Sequence, residues 1–363
     1  MEAALKRLAG ALAMSTAVAS GATPPPPMPP VPPENAAFLA TPEPRLASTG
    51  DARVDDYRDR LLSDHSSAGW RPYLLRLFAG IKADPAILAE HDRLAAIDTP
   101  AEYVSHYVTP ERIRRGRQLF RQGLGKGKAG DMPAELRLAL WGMLSDYGAR
   151  RPRYDALQAL LVLGAYGKGG SASDFPIHHA ASRVLSGDVP RAQLKAFATG
   201  KLGQTQTPAA RFPDWAVDGN GDGRIDIWND RADILATIAG RGWASAGPMP
   251  VAVAVREPRL DPQDRRQARM LASLRASPNV PPAILQRWDG RPWRPDEIGG
   301  GGTYVAPFVK NGPAFILLRP AWLVNSRDPV KPLYPGEDKE MGFALAASLL
   351  ADAIAGRALP PLR

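Results

Sequence analysis

The sequence Leu136-Arg137-Leu138-Ala139-Leu140-Trp141-Gly142-Met143-Leu144 is almost wholly apolar. A helix that is hydrophobic around its whole circumference lies inside a folded domain. We therefore predict a buried helix from Leu136 to Leu144. The glycine-rich stretch before it, residues 123–130, predicts a break in the chain.

The sequence on either side of this helix predicts a mainly α fold (α+β) with a small β-containing region. Apolar residues recur at helical spacing in residues 57–62 and 73–78. Thr109-Pro110-Glu111 combines a capping hydroxyl, a proline at the first helical position and an early acid, so a helix should run from there through Phe120. Nearer the C-terminus we predict a surface helix, two strands and a closing helix, at residues 263–282, 303–305, 315–318 and 342–354.

The N-terminus predicts export. Lys6-Arg7 precede a short apolar stretch that ends in small residues, as in a signal peptide, and an uncleaved anchor is the alternative. Ten residues from Pro24 to Pro33, eight of them proline, then predict a stiff polyproline linker. The predicted organisation is a signal peptide, a proline-rich linker, a helical domain and a C-terminal β-containing region, over residues 1–22, 23–50, 51–262 and 263–363.

Composition excludes several functions. The chain has 363 residues and a net charge of +9, spread in short clusters, so we predict attraction to anionic polymers or surfaces but no nucleic-acid partner. It contains no cysteine, which excludes disulfides, thiolate metal sites and cysteine nucleophiles. No Gly-x-Ser-x-Gly motif is present. Residues 123–129 lack the spacing and the Ser or Thr of a phosphate-binding loop.

The stretch from Asp218 to Asp226 places oxygen ligands at every second residue, with a glycine at the sharp turn, as in an EF-hand-type calcium loop. The predicted ligands are side-chain oxygens and one backbone carbonyl, from Asp218, Asn220, Asp222, Arg224 (carbonyl) and Asp226. The twelfth position is Asn229 rather than a bidentate Glu, which predicts affinity in the 10⁻⁴–10⁻³ M range, on the order of extracellular modules. The alternative is a plain Asp/Asn/Gly turn.

Four blocks, in this order and spacing, resemble the membrane-bound lytic transglycosylase B family of peptidoglycan enzymes: residues 109–116, 141–148, 203–206 and 216–226. The similarity extends over about residues 55–355. It implies a lysozyme-like helical catalytic domain with an EF-hand-like calcium loop, acting on murein in the periplasm. The predicted signal peptide, basic charge and calcium loop agree with it independently.

The resemblance also implies a reaction. The family cleaves the β-1,4 bond between N-acetylmuramic acid and N-acetylglucosamine and leaves a 1,6-anhydro end, with one glutamate as acid and then base. In its Trp-Gly-x-Glu-Ser-Asp-Tyr-Gly pattern that glutamate corresponds to Leu144, and leucine cannot transfer a proton. On a continuous helix Asp146 and Glu135 would point roughly 200° and 180° away from Leu144. We therefore assign no catalytic residue, with Asp146 as the one candidate for a displaced acid.

The same resemblance names candidate sugar contacts. Tyr147 matches the Ser-Asp-Tyr-Gly block, and Gln204 and Gln206 match the family's Gly-Gln-Thr-Gln. For Tyr147 the alternative is a core aromatic at helical spacing. For Gln206 a sugar contact and a structural role are equally supported. After Gln206 the family's Phe-Met-Pro-Ser-Ser is replaced by residues 207–211, Thr-Pro-Ala-Ala-Arg, so part of the glycan-contacting region differs.

Three functions follow as alternatives. In the first, the protein is a pseudoenzyme that binds glycan strands, or a partner cell-wall enzyme, through the cleft that binds substrate in the family. In the second, it is an active lytic transglycosylase with a displaced acid. In the third, it is a scaffold for cell-envelope assembly that binds no glycan. All three place it in the periplasm, without a stable membrane span once the signal is cleaved.

Overall fold

The computed structural model of the protein describes residues 25–30, 32, 40–64, 69–125, 132–168, 175–240, 251–256, 286–287, 292, 303–307, 314–318 and 337–359. Chain contacts divide it into two compact units, one of residues 1–91 and 152–212 and the other of residues 92–151 and 213–363. The predicted signal peptide (1–22) and surface helix (263–282) lie outside the described residues. The domain boundary predicted at residue 262 stays a prediction, since residues 257–285 are not described.

The structure is mostly helical. The helices are α1 (Ala52–Ser63), α2 (Arg71–Phe78), α3 (Pro85–Ala95), α4 (Pro100–Tyr107), α5 (Pro110–Arg121), α6 (Ala134–Ser145), α7 (Ala156–Ala165), α8 (Phe175–Leu185), α9 (Phe212–Trp215), α10 (Arg231–Gly240) and α11 (Glu337–Ile354). The mainly α fold class is thereby confirmed. The predicted capping of α5 is also present, because the Thr109 side chain accepts a hydrogen bond from the amide of Arg112.

Helix α6 is the buried helix that its composition predicts. Every residue from Leu136 to Ser145 is buried. It packs against α5, α10 and α11 within the second unit, and α11 packs in turn against α4 and α5. The closing helix predicted from Gly342 is therefore one of the walls that enclose α6, although it begins earlier, at Glu337.

Short strands complete the fold. In the first unit, β1 (Tyr154–Asp155) pairs antiparallel with β2 (Lys195–Ala196). In the second, β3 (Val251–Arg256), β4 (Gln286–Arg287), β5 (Thr303–Pro307) and β6 (Ala314–Leu318) form an antiparallel sheet in the order β4-β3-β6-β5. The two strands predicted from sequence, at 303–305 and 315–318, are β5 and β6.

Within the first unit, the segment ahead of α1 packs against the residues that follow it. The indole Nε1 of Trp70, at the start of α2, donates to the carbonyl of Pro26 over 3.2 Å, and Trp70 is only 3% exposed. Further along, the Arg58 guanidinium donates to the carbonyl of Ala47 (2.9 Å) and Lys82 Nζ to that of Ser48 (2.9 Å). The chain ahead of α1 therefore lies against the helices that follow it.

Gly116, on the buried side of α5, lies at a close contact with the elements around α6. A Cβ atom there would lie 2.6 Å from the side chain of Ile354 and 2.6 Å from the Tyr147 hydroxyl. We expect Gly116→Ala to lower the free energy of unfolding by about 1–3 kcal/mol through overpacking, although alanine is ordinarily the better helix former. Urea denaturation measures this. Gln118→Ala, exposed on the same helix, is the control and should change stability by less than about 0.5 kcal/mol; an unchanged or higher midpoint for Gly116→Ala would contradict the packing described.

Candidate functional site

The C-terminal end of α6 turns through three consecutive residues in the left-handed region. Asp146, Tyr147 and Gly148 have φ angles of 54°, 55° and 82°. For Asp146 and Tyr147 this conformation costs about 1–2 kcal/mol each, since a Cβ then crowds the following carbonyl. Two backbone bonds close the turn, from Asp146 N to Gly142 O (3.0 Å) and from Gly148 N to Ser145 O (3.1 Å).

Two arginines hold the last carbonyls of α6. Arg112 Nε donates to the carbonyl of Gly142 over 3.1 Å, and Arg150 Nη2 donates to that of Leu144 over 3.0 Å. Cationic side chains at a helix C-terminus satisfy carbonyls that have no partner within the helix and complement the helix dipole. Together with the bond from Ser145 Oγ to the carbonyl of Trp141 (3.3 Å), they fix where α6 ends.

Leu144 lies in the last turn of α6 and is 7% exposed. It belongs to the apolar cluster that also contains Trp141, Leu140 and Ile354. An aliphatic side chain at this position supplies packing surface and no proton.

The geometry corrects the expected orientation of Asp146. The expectation that it points roughly 200° from Leu144 required the helix to continue. Instead α6 ends at Ser145, and Asp146 is the left-handed residue that follows the helix. Its carboxylate lies 3.4 Å from Arg112 Nε.

Glu135 is at the opposite end of the same helix. It precedes Leu144 by nine residues, which corresponds to about 13 Å along the axis. Its carboxylate pairs with Arg357 over 3.1 Å. Arg357 also contacts Asp352 over 2.7 Å, so Glu135, Arg357 and Asp352 form one cluster of charged side chains.

Tyr147, one of the predicted sugar contacts, packs into the core. Its side chain is 4% exposed, and its hydroxyl donates to the carbonyl of Arg112 over 2.9 Å. The ring meets Trp141 edge to face at 5.9 Å. Burial raises the pKa of this phenol well above its ordinary value. The core-aromatic alternative is the one that fits this geometry.

Gln204 and Gln206 lie in the first unit, on the turn after β2. Gln204 is 4% exposed, whereas Gln206 is partly exposed and has a φ of 50°. The turn is closed by two bonds between the backbones of Leu202 and Thr207, of 2.8 and 2.9 Å. Gln206 is therefore the more accessible of the two predicted sugar contacts.

The loop from Asp218 to Asp226 is built from carboxylates that accept bonds from its own backbone. Asp218 accepts from the amides of Gly221 (2.6 Å) and Gly223 (2.8 Å), and these bonds lower its pKa, the one from Gly223 most. Asp222 accepts from the amide of Arg224 over 2.8 Å. Among the described residues, no group of three or more His, Asp or Glu side chains is arranged as a metal site.

Two acids that sequence reasoning missed complete this loop. Asp233 is 1% exposed and accepts from the amides of Gly219 (2.8 Å) and Asp226 (2.6 Å), so it ties both ends of the loop to α10. Asp230 accepts from the amides of Ala232 and Asp233, as a residue that caps a helix does. The sequence signal that could have identified Asp230 is an acid directly before an apolar helix.

The comparisons with known proteins agree with this architecture. The family model described as the transglycosylase SLT domain matches residues 53–324. The chain belongs to this family. The resemblance to lytic murein transglycosylases of the B type is thereby confirmed, and with it the lysozyme-like helical fold.

Solved structures of similar fold are found in two bacteria. SltB3 from Pseudomonas aeruginosa, in complex with NAG-anhNAM-pentapeptide, is 25% identical, with 85% of this chain and 80% of that chain covered and a TM-score of 0.62. SltB1 from the same species is 20% identical, with coverage of 84% and 98% and a TM-score of 0.59. Slt35 from Escherichia coli, in complex with calcium, is 17% identical, with coverage of 84% and 92% and a TM-score of 0.54. Among curated proteins, none matches.

Family membership makes this a lytic transglycosylase-like protein that acts at peptidoglycan. Within the part of the chain that the structure describes, no helix combines the length and apolar character that crossing a bilayer requires.

The role of Tyr147 as a packing residue is testable. Tyr147→Phe removes only the bond to the Arg112 carbonyl, so we expect a loss of about 1 kcal/mol in the free energy of unfolding, whereas Tyr147→Ala should lose about 3–5 kcal/mol. Chemical denaturation of the purified variants measures both. Unchanged stability in Tyr147→Phe, together with weakened binding to murein sacculi, would instead assign the hydroxyl to sugar.

Proposed function

We propose that this protein binds the glycan strands of peptidoglycan in the periplasm without cleaving them. The observation that carries the proposal is Leu144, an apolar residue in the last buried turn of α6, where the family pattern has its glutamate. Lytic cleavage needs a proton delivered to the leaving glycosidic oxygen and then removed from a sugar hydroxyl. Leucine does neither.

The neighbouring carboxylates support this reading. Asp146 lies against Arg112 beyond the helix end, and Glu135 lies about 13 Å away and pairs with Arg357. Each of these acids has a structural partner in the second unit.

Binding could outlast catalysis because glycan contacts need no proton donor. The accessible candidate among the predicted contacts is Gln206, on a turn whose backbone is fixed by the Leu202–Thr207 pairing. SltB3 of Pseudomonas aeruginosa has been solved with both NAG-anhNAM-pentapeptide and NAG-NAM-pentapeptide, which makes a murein fragment the natural ligand class to test here. Export by the segment 1–22 would deliver the protein to that polymer.

Incubation with purified sacculi tests this function. We expect the protein, from about residue 23 onward, to co-sediment with sacculi and to release no soluble 1,6-anhydro-muropeptides, with Asp146→Asn behaving in the same way. Chromatography and mass spectrometry of the soluble fraction provide the readout. Anhydro products that disappear in Asp146→Asn would establish the displaced-acid enzyme, and absence of both binding and products would leave the scaffold.

We also propose that the loop from Asp218 to Asp230 holds calcium with a structural role. The predicted metal ligands of the loop are all oxygen atoms, as calcium prefers, and Arg224 can add its backbone carbonyl. The carboxylates of Asp222 and Asp230 converge on one group, the Asn220 Nδ2, at 3.3 and 3.1 Å. Asp230 could thus supply the charge that Asn229 lacks. Calcium bound there would neutralise several carboxylates on one short loop.

Thermal melting tests the calcium proposal. With a Kd of about 10⁻³ M, 10 mM calcium should raise the free energy of unfolding by about 1.4 kcal/mol, seen as a melting shift of a few degrees. Asp222→Asn should abolish the shift, while Asp56→Asn, on α1 and outside the loop, should keep it. Identical melting curves with calcium and with chelator would refute the site.

A further inference from the structure

Helix α5 carries five arginines in its twelve residues, Arg112, Arg114, Arg115, Arg117 and Arg121. Two of them serve the fold. Arg112 donates to the carbonyls of Gly142 (3.1 Å) and His106 (2.7 Å), and Arg117 donates to that of Ala353 over 2.7 Å. The remaining three, Arg114, Arg115 and Arg121, are exposed.

The three exposed arginines share one face. At about 100° per residue, Arg114, Arg115 and Arg121 fall within an arc of roughly 120°, which also contains the exposed Gln118. The acid on this arc, Glu111, contacts Arg114 at 3.7 Å with both side chains at least 75% exposed. We call Arg114, Arg115, Gln118 and Arg121 the arginine face; its three positive charges are offset by the single acid Glu111, and it has no large apolar side chain.

The arginine face borders the end of α6. The Arg115 guanidinium lies 5.8 Å from the ring centroid of Tyr147, which belongs to the left-handed turn after Leu144. Arg115 therefore lies beside the turn that follows Leu144. The arrangement places a cationic helix face beside the position where the family has its catalytic acid.

We propose that the arginine face binds carboxylates of the peptide stems carried by murein glycan. This inference rests on the proposed function and names its second point of contact. Guanidinium groups bind carboxylates through paired N–H donors, and planar anions suit arginine better than lysine. A peptide stem offers free carboxylates at regular intervals along the glycan. A membrane surface fits less well, because interfacial helices bury an apolar face in lipid and the outward side of α5 has none.

Co-sedimentation with two polymers tests the proposal. One is intact sacculi and the other is glycan strands from which an amidase has removed the peptide stems. The variant Arg114→Gln/Arg115→Gln/Arg121→Gln is compared with the control Arg45→Gln/Arg60→Gln/Arg151→Gln, which removes the same charge from exposed arginines on other segments. We expect about tenfold weaker binding of the first variant to intact sacculi, since each exposed charge contact contributes a factor of a few. The control should stay within about twofold of the unmodified protein.

The outcomes separate the two proposals. Recognition of the stems is supported if two affinities are equally low. One is that of the unmodified protein for stem-free glycan, and the other is that of the arginine-face variant for intact sacculi. Equal losses in both variants would overturn it in favour of general attraction by net charge. Binding to vesicles of anionic phospholipid that is lost only in the arginine-face variant, with sacculus binding intact, would overturn it in favour of a membrane. If the unmodified protein binds no sacculi while its melting curve is that of a folded protein, the proposed function itself fails.

Discussion

The second unit depends on the burial of one helix. Helix α6 is enclosed from Leu136 to Ser145, so none of its faces is available to water. Such a helix must end with its carbonyls satisfied, because buried polar groups without partners are costly. Arg112 and Arg150 meet that requirement from outside the helix, and the Tyr147 hydroxyl reaches back to the carbonyl of Arg112. The strained turn at residues 146–148 is kept in place by these bonds.

This constraint is compatible with the proposed role of Leu144, which stands where the family pattern has its acid. A carboxylate in an enclosed turn needs hydrogen-bond partners, because burial without them destabilises its charged form. Leu144 instead adds apolar surface to the cluster around α6. Replacing a functional polar group by an apolar one commonly stabilises a fold at the expense of activity. A leucine at position 144 is therefore compatible with an intact lysozyme-like architecture.

The sequence predicted the elements that have strong local signals, but not the contacts between residues far apart in the chain. The apolar run of α6, the capped start of α5 and strands β5 and β6 follow from composition and spacing, and the structure confirms them. The angle of 200° expected for Asp146 assumed a continuous helix, and nothing in the spacing shows that α6 stops at Ser145. The inward role of Tyr147 depends on glycines at 116 and 142 that leave room for its ring, and the part played by Asp233 depends on the return of α10 to the loop.

We propose that Leu144 takes the place of the proton donor and that the absence of an acid there prevents cleavage. The most direct test is Leu144→Glu incubated with sacculi, with Leu144→Gln as a control of similar shape that carries no acid. We predict 1,6-anhydro-muropeptides from Leu144→Glu above the level of Leu144→Gln and of the unmodified protein. A folded Leu144→Glu that binds sacculi and releases no such product would contradict the claim.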